Sequence, residues 1–489
     1  MTGAVLPLFF ALPLVAAMIA VLANSSRVSA ALGLLVPAAV VAGAVAAVAA
    51  TADGSVLVAQ VAGWPGGFAI PFVADLFSSM MLVVAGVLVF ASMVFAYATG
   101  HGQSRWFVPM TLLMTAGVYG AYLTADLFNL FVMVEVALLP SYVLFALRGT
   151  PVSLRSARLY LIVNLTASTV FLAGLGAVYG ATGTVNLASL AGAGAAPVVA
   201  FAMAVILVAL AVKAALVPAH TWLPASYPYT SPAVTALFSG LLTKIGVYAL
   251  VRSITLVYEP GTTVTLVVVV VTLASMIVGV LGALGEGTVR GVLSFHMVSQ
   301  VGYILVGLVL AGAVGVAAVV FYLMHHTVVK TSLFLSGGAV EHQRGTGTIN
   351  RLGGVGNEHR WVTLAFFLAA ISLTGLPPFS GFWAKLGVLQ AAVGAQNYFV
   401  FAVALLVSIG TLMSMLKLGT GVFWGERPDH ALETASERPW RASIVLPGMV
   451  LALVSLGIGL NPEPLLDLAT SAGNSLTDPS AYVEGVLAR

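Results

Sequence analysis

The sequence predicts an all-α polytopic membrane protein of about fourteen transmembrane helices, arranged as two inverted five-helix repeats with broken helices at spans seven and twelve. Three observations predict it. Of 489 residues, 60% are hydrophobic and only 7% are charged, with a mean hydropathy of +1.08. A water-soluble chain carries about 25% charged residues. The apolar runs are roughly 20 residues long, the length of a helix across hydrocarbon and about twice that of a barrel strand. Two of these runs are interrupted by prolines, and each interruption has a lysine beside it.

In chain order the spans fall at 3–23, 29–50, 71–98, 106–124, 126–147, 157–180, 199–223, 231–256, 262–284, 290–312, 315–339, 361–395, 398–424 and 441–461. The first run has no basic residues ahead of it, so it reads as a transmembrane helix and not as a cleaved signal. The division at Thr124–Asp126 is very short. Span seven contains Pro218 and Pro224, and span twelve contains Leu376-Pro377-Pro378-Phe379. Proline removes a backbone hydrogen bond and kinks a helix. At membrane depth such breaks are tolerated only where protein or water surrounds them. The breaks are five spans apart, an odd number, which gives the two copies inverted topology. The chain then divides into 1–105 (spans one to three), 106–256 (first repeat), 257–424 (second repeat) and 425–489 (a loop, the last span and a short acidic tail without a long amphipathic helix).

The basic residues sort by type. Lys213, Lys244, Lys330, Lys385 and Lys417 fall inside apolar spans. Arg27, Arg105, Arg148, Arg155, Arg158, Arg290, Arg344, Arg351, Arg360, Arg427, Arg438 and Arg441 fall at span ends or in alternate loops. Only Arg252 and Arg489 lie on the other side. The positive-inside rule places the arginine loops in the cytoplasm and both termini outside. Arginine stays charged, whereas a buried lysine is able to lose its proton, as a relay requires.

A charge at the centre of a span costs about 3 kcal/mol or more, so intramembrane charges usually face a protein interior. Snorkelling to a headgroup is the bland alternative. Glu135 is the only acidic residue deep in a span; Asp75 and Asp126 sit nearer span ends, where they are solvated or structural. Pairing with a lysine keeps both groups charged and separation neutralises one, so such a pair is either a switch or a static clamp. His326 and Lys330 are four residues apart and share one helical face, with His325 beside them. Histidine titrates near neutral pH. His296, in the preceding span, reads equally as a packing residue, and His220, beside Pro218, as a donor to freed carbonyls. Lys417 has no evident role and falls near a span end.

Several classes are excluded. The absence of cysteine rules out disulfides, thiolate metal sites and iron–sulfur ligands. A net charge of +3 is too small to imply a nucleic-acid partner. There is no nucleotide or dinucleotide fingerprint and no metal-binding histidine cluster, and no residue is expected to hold flavin, nicotinamide or quinone.

The segments FNLFVMVEVALLPSYVL, KAALVPAHTWLPASYPYTSPAVTALFSGLLTKIGVYALVR, RGVLSFHMVSQVGY, HHTVVKTSLFLSGG and LTGLPPFSGFWAK resemble the antiporter-like subunits shared by respiratory complex I and Mrp-type multisubunit cation/proton antiporters. The resemblance covers about positions 70–425. It implies fourteen core helices, outside termini and a multi-pass place in the cell membrane. It also implies partner membrane subunits and transport of protons and Na+. By position it implies that Glu135 and Lys213 pair, that Lys244 is the central lysine, that His326 and Lys330 continue the relay, and that Lys385 is the exit group, which is glutamate in some relatives. Chain length, the LLTKIGVYALVR segment and His296 bring it nearest to the D-type subunits of the Mrp branch. A proton-pumping subunit of an NADH:quinone oxidoreductase and an inert membrane scaffold are the alternatives.

Overall fold

The computed structural model describes residues 1–64, 69–258, 263–310, 312–426 and 440–487. Arg427, Arg438 and Arg489 lie outside them. Among the described residues, eleven helices are long and apolar enough to cross a membrane, and three shorter apolar ones, Phe107–Leu123, Pro197–Lys213 and Arg360–Thr374, occupy the places of spans four, seven and twelve.

The first half runs α1 (Leu6–Ala23), α2 (Ser26–Thr51), α3 (Leu76–Ala98), α4 (Phe107–Leu123), α5 (Leu127–Ala146) and α6 (Pro151–Thr182). It ends with α7 (Pro197–Lys213), the one-turn α8 (Trp222–Ser226) and α9 (Pro232–Val257). The second half runs α10 (Thr263–Gly285), α11 (Val289–Val306), α12 (Gly312–Arg344), the short α13 (Val355–Glu358), α14 (Arg360–Thr374), α15 (Ser380–Gly394), α16 (Tyr398–Leu418) and α17 (Ala442–Leu460). Large apolar side chains stay exposed on the outer helices, such as Leu22, Phe201, Leu266 and Leu406. The lipid-facing surface of a membrane protein has that character.

The helix at the centre is α9, whose apolar window is wholly buried. Glycines let its neighbours approach. A β-carbon at Gly240 would lie 1.6 Å from Leu88 of α3 and 3.1 Å from the Thr331 hydroxyl of α12. One at Gly246 would lie 2.8 Å from the backbone nitrogen of Ala214. These contacts set Lys244, between the two glycines, among α3, α12 and the end of α7.

Both predicted breaks are present. The first helix stops at Lys213, Ala215 takes a positive φ of 59°, and the chain resumes as a helix at Trp222. The second stops at Thr374, turns at Gly375 (φ 87°) and resumes at Ser380.

Four details differ from expectation. Residues 71–74 do not open the third span. They form strand β2 (Pro71–Ala74), paired antiparallel with β1 (Leu57–Gln60). Asp75 then caps α3 by accepting from the Ser78 nitrogen at 2.9 Å. α6 and α12 overrun the ends predicted for spans six and eleven: the exposed Arg155 and Arg158 carry the start of α6 into water, and α12 ends on Arg344, which is buried against Glu358. The tail is not a loose end. It forms α18 (Glu463–Thr477) and α19 (Ser480–Leu487), and Ala469, Ala472 and Leu476 are buried. Tyr482 of α19 covers the Arg252 guanidinium at 4.8 Å, and Arg252 donates to Asp75 at 2.6 Å. Asp75 and Arg252 are thus a buried structural pair.

Candidate functional site: a buried line of charges between two broken helices

The Glu135 carboxylate on α5 and the Lys213 ammonium on α7 lie 3.8 Å apart, with side chains 21% and 5% exposed. They are joined through a third residue. The ammonium of Lys213 donates to the Ser168 hydroxyl of α6 at 2.8 Å, and that hydroxyl donates to the Glu135 carboxylate. The pair is therefore bridged by a hydroxyl as well as by charge. Lys213 is the last residue of its helix, where the negative end of the helix dipole favours a cation. The break exposes the Val212 carbonyl, and the Trp222 indole donates to it at 2.9 Å. Trp222 thus takes one backbone carbonyl at the break, while His220 bonds the backbone at Pro218, the role expected of it. A narrow cavity lined by Asn164, Lys213, Leu242 and Gly246 separates Lys213 from α9.

Lys244 is fully buried. Its ammonium donates to the Ser239 carbonyl at 2.9 Å, one turn earlier on the same helix. His326 and Lys330 of α12 are also fully buried. Lys330 donates to the Leu293 carbonyl of α11 at 2.9 Å. Among the described residues neither ring nitrogen of His326 has a hydrogen-bond partner, and the ring lies in the field of both Lys244 and Lys330. A buried imidazole with both nitrogens open is costly as a packing residue and well suited to taking and releasing a proton.

The line continues into the second break. His296 of α11 meets the Ser414 hydroxyl at 2.5 Å and keeps Nδ1 unpartnered. It lies in the field of Lys330 and Lys385. Lys385 donates to the Thr374 carbonyl at 2.9 Å, a group freed by the break, and sits 5.2 Å over the Tyr303 ring. His325 faces away from His326: its Nδ1 meets Ser380 at 2.8 Å, within a cluster of Ser372, Ser380 and Ser455. Lys417 donates to the carbonyls of Ala283, Leu284 and Glu286, capping the C-terminus of α10, and His296 lies in its field as well.

Sequence reasoning missed Ser168, because an isolated serine in an apolar helix is ordinary; its four-residue register with Asn164 on the buried face of α6 was the available signal. A hydrogen bond to a charged group contributes roughly 1.5–3 kcal/mol. Ser168→Ala is therefore expected to lower ion transport by about tenfold or more, while Ser168→Thr retains most of it. Transport assays on both variants in vesicles, at matched assembly on native gels, check this; equal rates would leave the hydroxyl a packing group.

Helices broken on either side of a buried line of ionisable groups define a class of membrane proteins that hold charge inside the bilayer. Residues 124–414 match the family described as NADH:quinone oxidoreductase/Mrp antiporter, TM. The chain is 38% identical over 443 residues to the D-type subunit of the Na(+)/H(+) antiporter of Alkalihalophilus pseudofirmus, a match that covers 88% of each chain. Its fold matches a chain of the Mrp complex from Dietzia sp. DQ12-45-1b over 100% of both, with a TM-score of 0.95 and 43% identity. It also matches a chain of the membrane-bound sulfane sulfur reductase, an archaeal respiratory membrane complex, over 99% of this chain and 100% of that one, with a TM-score of 0.91 and 27% identity. The chain belongs to the NADH:quinone oxidoreductase/Mrp antiporter family.

Proposed function

We propose that this chain is the proton-translocating subunit of a multisubunit monovalent cation (Na+)/proton antiporter of the cell membrane, a transporter subunit and not an enzyme. It crosses the bilayer fourteen times, with both termini outside and the arginine loops in the cytoplasm. Spans four to eight and nine to thirteen form the inverted repeats. Protons move along Glu135, Lys213, Lys244, His326, Lys330, His296 and Lys385, with Ser168 and His325 as auxiliary groups. Partner membrane subunits complete the complex.

The observation that carries this reading is His326, buried with both nitrogens open in the field of Lys244 and Lys330. A static scaffold gains nothing from three mutually repelling or unsatisfied groups at bilayer depth, whereas a proton carrier needs sites that tolerate both states. Identity favours the antiporter over the redox pump: the antiporter relative and the Mrp complex chain stand at 38% and 43%, against 27% for the respiratory complex chain.

Lys244 is the test. It is the most enclosed of the lysines of the first half, and Lys244→Ala removes the proton site while leaving a neutral side chain that suits the surroundings. Sodium-induced proton movement in vesicles is expected to fall by about tenfold or more, with normal assembly on native gels. Lys330→Ala is expected to give a smaller loss. Unimpaired transport by both variants would remove the relay. Co-purification with redox subunits would transfer the chain to the pump reading.

A further inference from the structure

Helices α14 and α17 begin on the face that carries the loop arginines, and a cavity of about 590 Å³ lies between their first turns. Arg360, Trp361, Trp440, Arg441, Leu446 and Met449 are among its walls. None of them belongs to the relay. The volume is that of a small-molecule site. Arg360 is the first residue of α14 and Arg441 the N-cap of α17, and both are exposed. Among the described residues neither guanidinium forms an ion pair. The one carboxylate among the walls, Glu358, already accepts from Arg344 at 2.8 Å. No side chain caps either helix, so the N–H groups of two first turns add to the positive potential of the two arginines.

The rest of the site is apolar. The Trp440 ring packs on His359 at 4.1 Å. Trp361 is exposed and carries the Arg360 guanidinium over its ring at 5.2 Å. Along α17, Leu446, Val450 and Leu453 are all exposed, and spacings of four and three residues put them on one face. Arginine and tryptophan at a helix start are ordinary membrane-border anchors, and Arg105 over Trp106, at 5.2 Å, is a single pair of that kind. An anchor accounts for one arginine beside one indole. It does not account for two unpaired guanidiniums and two indoles that converge from different helices on one cavity, with an apolar track leading away along α17. A soluble anion leaves the indoles and the track unused, and an apolar ligand leaves the arginines unpaired. An anionic amphiphile uses both, as in basic pockets between membrane helices that hold lipid headgroups.

We infer that this cavity binds an anionic phospholipid, with its phosphate held by Arg360 and Arg441 and one acyl chain lying along Leu446, Val450 and Leu453. The inference is independent of the relay. A lipid seated there joins the starts of α14 and α17. The same two helices meet again near the second break, where the hydroxyls of Ser372 and Ser455 lie 2.8 Å apart. The lipid thus braces this pair of helices at the end away from that contact.

The complete complex that contains this chain is reconstituted in vesicles with a trace of phosphatidylglycerol bearing a photoreactive acyl chain, and adducts are mapped by mass spectrometry. Adducts are expected within residues 445–453. Unlabelled phosphatidylglycerol is expected to compete for them, and phosphatidylcholine is not. Each arginine is expected to contribute about fivefold. Labelling therefore falls about fivefold in Arg441→Gln and tenfold or more in Arg360→Gln/Arg441→Gln, at matched assembly on native gels. Arg360→Lys/Arg441→Lys keeps the charge and is expected to retain most of the labelling. The parent complex decides alone where a variant does not assemble. Equal labelling by a phosphatidylcholine analogue reduces the cavity to general lipid contact. Competition by inorganic phosphate as strong as that by phosphatidylglycerol makes it a free-anion site. Absence of adducts within 445–453 leaves the face to a partner subunit. Each of these results overturns the proposal, as does unchanged labelling in the double glutamine variant.

Discussion

Glu135→Ala and Lys213→Ala are each expected to abolish sodium-driven proton movement while the complex still assembles. In the structure the two charges stand 3.8 Å apart with Ser168 hydrogen-bonded between them. Removing one partner of a buried pair leaves an uncompensated charge, at a cost of roughly 3–5 kcal/mol. Here the remaining group is able to neutralise by exchanging a proton, so the fold survives and the switch does not. Glu135→Gln and Lys213→Met separate the two possibilities further, since they keep volume and remove charge. A static clamp predicts that loss of assembly parallels loss of transport; a switch predicts that transport is lost at full assembly. Proton movement driven by sodium in vesicles, read beside a native gel, decides between them. Transport near the parent rate in either alanine variant would return the pair to a structural role.

The charged line was legible in the sequence because a lysine in an apolar run is expensive and therefore conspicuous. Lys213, Lys244, Lys330 and Lys385 all lie buried in the interior, and the prolines marked both breaks. What surrounds the charges was not legible. Ser168, Ser380 and Ser455 act through position, and a serine in a helix carries no signal of what it will face. The role of Lys417 depends on where α10 ends relative to α16, a tertiary fact. The strand pair Leu57–Gln60 and Pro71–Ala74 was hidden among apolar residues that suit a membrane-border strand as well as a helix. The first tail helix packs through Ala469, Ala472, Gly473 and Leu476 on one face of a 15-residue amphipathic helix, too short to stand out in an acidic tail as a long amphipathic one.

Lys385 offers the most discriminating series, because four substitutions there separate charge, volume and the ability to titrate. Its ammonium is held by the Thr374 carbonyl and lies over the Tyr303 ring. A freed carbonyl at a helix break stabilises the protonated form, yet among the described residues no acidic side chain forms an ion pair with Lys385. A site of that kind holds a proton without trapping it. Lys385→Leu suits the membrane better and is expected to lose transport, because nothing remains to titrate. Lys385→Ala is expected to do the same. Lys385→Arg keeps the charge and the donor, but guanidinium does not release its proton, so it too is expected to be poor. Lys385→Glu restores a titratable group and is expected to retain part of the activity. Its optimum moves to lower pH, since a carboxylic acid ordinarily releases its proton about six units below an ammonium. Antiport measured against pH for all four variants, at matched expression, tests the whole order. Full activity in Lys385→Leu would show that the lysine only packs against the break, and proton release would then have to be sought elsewhere in the second half.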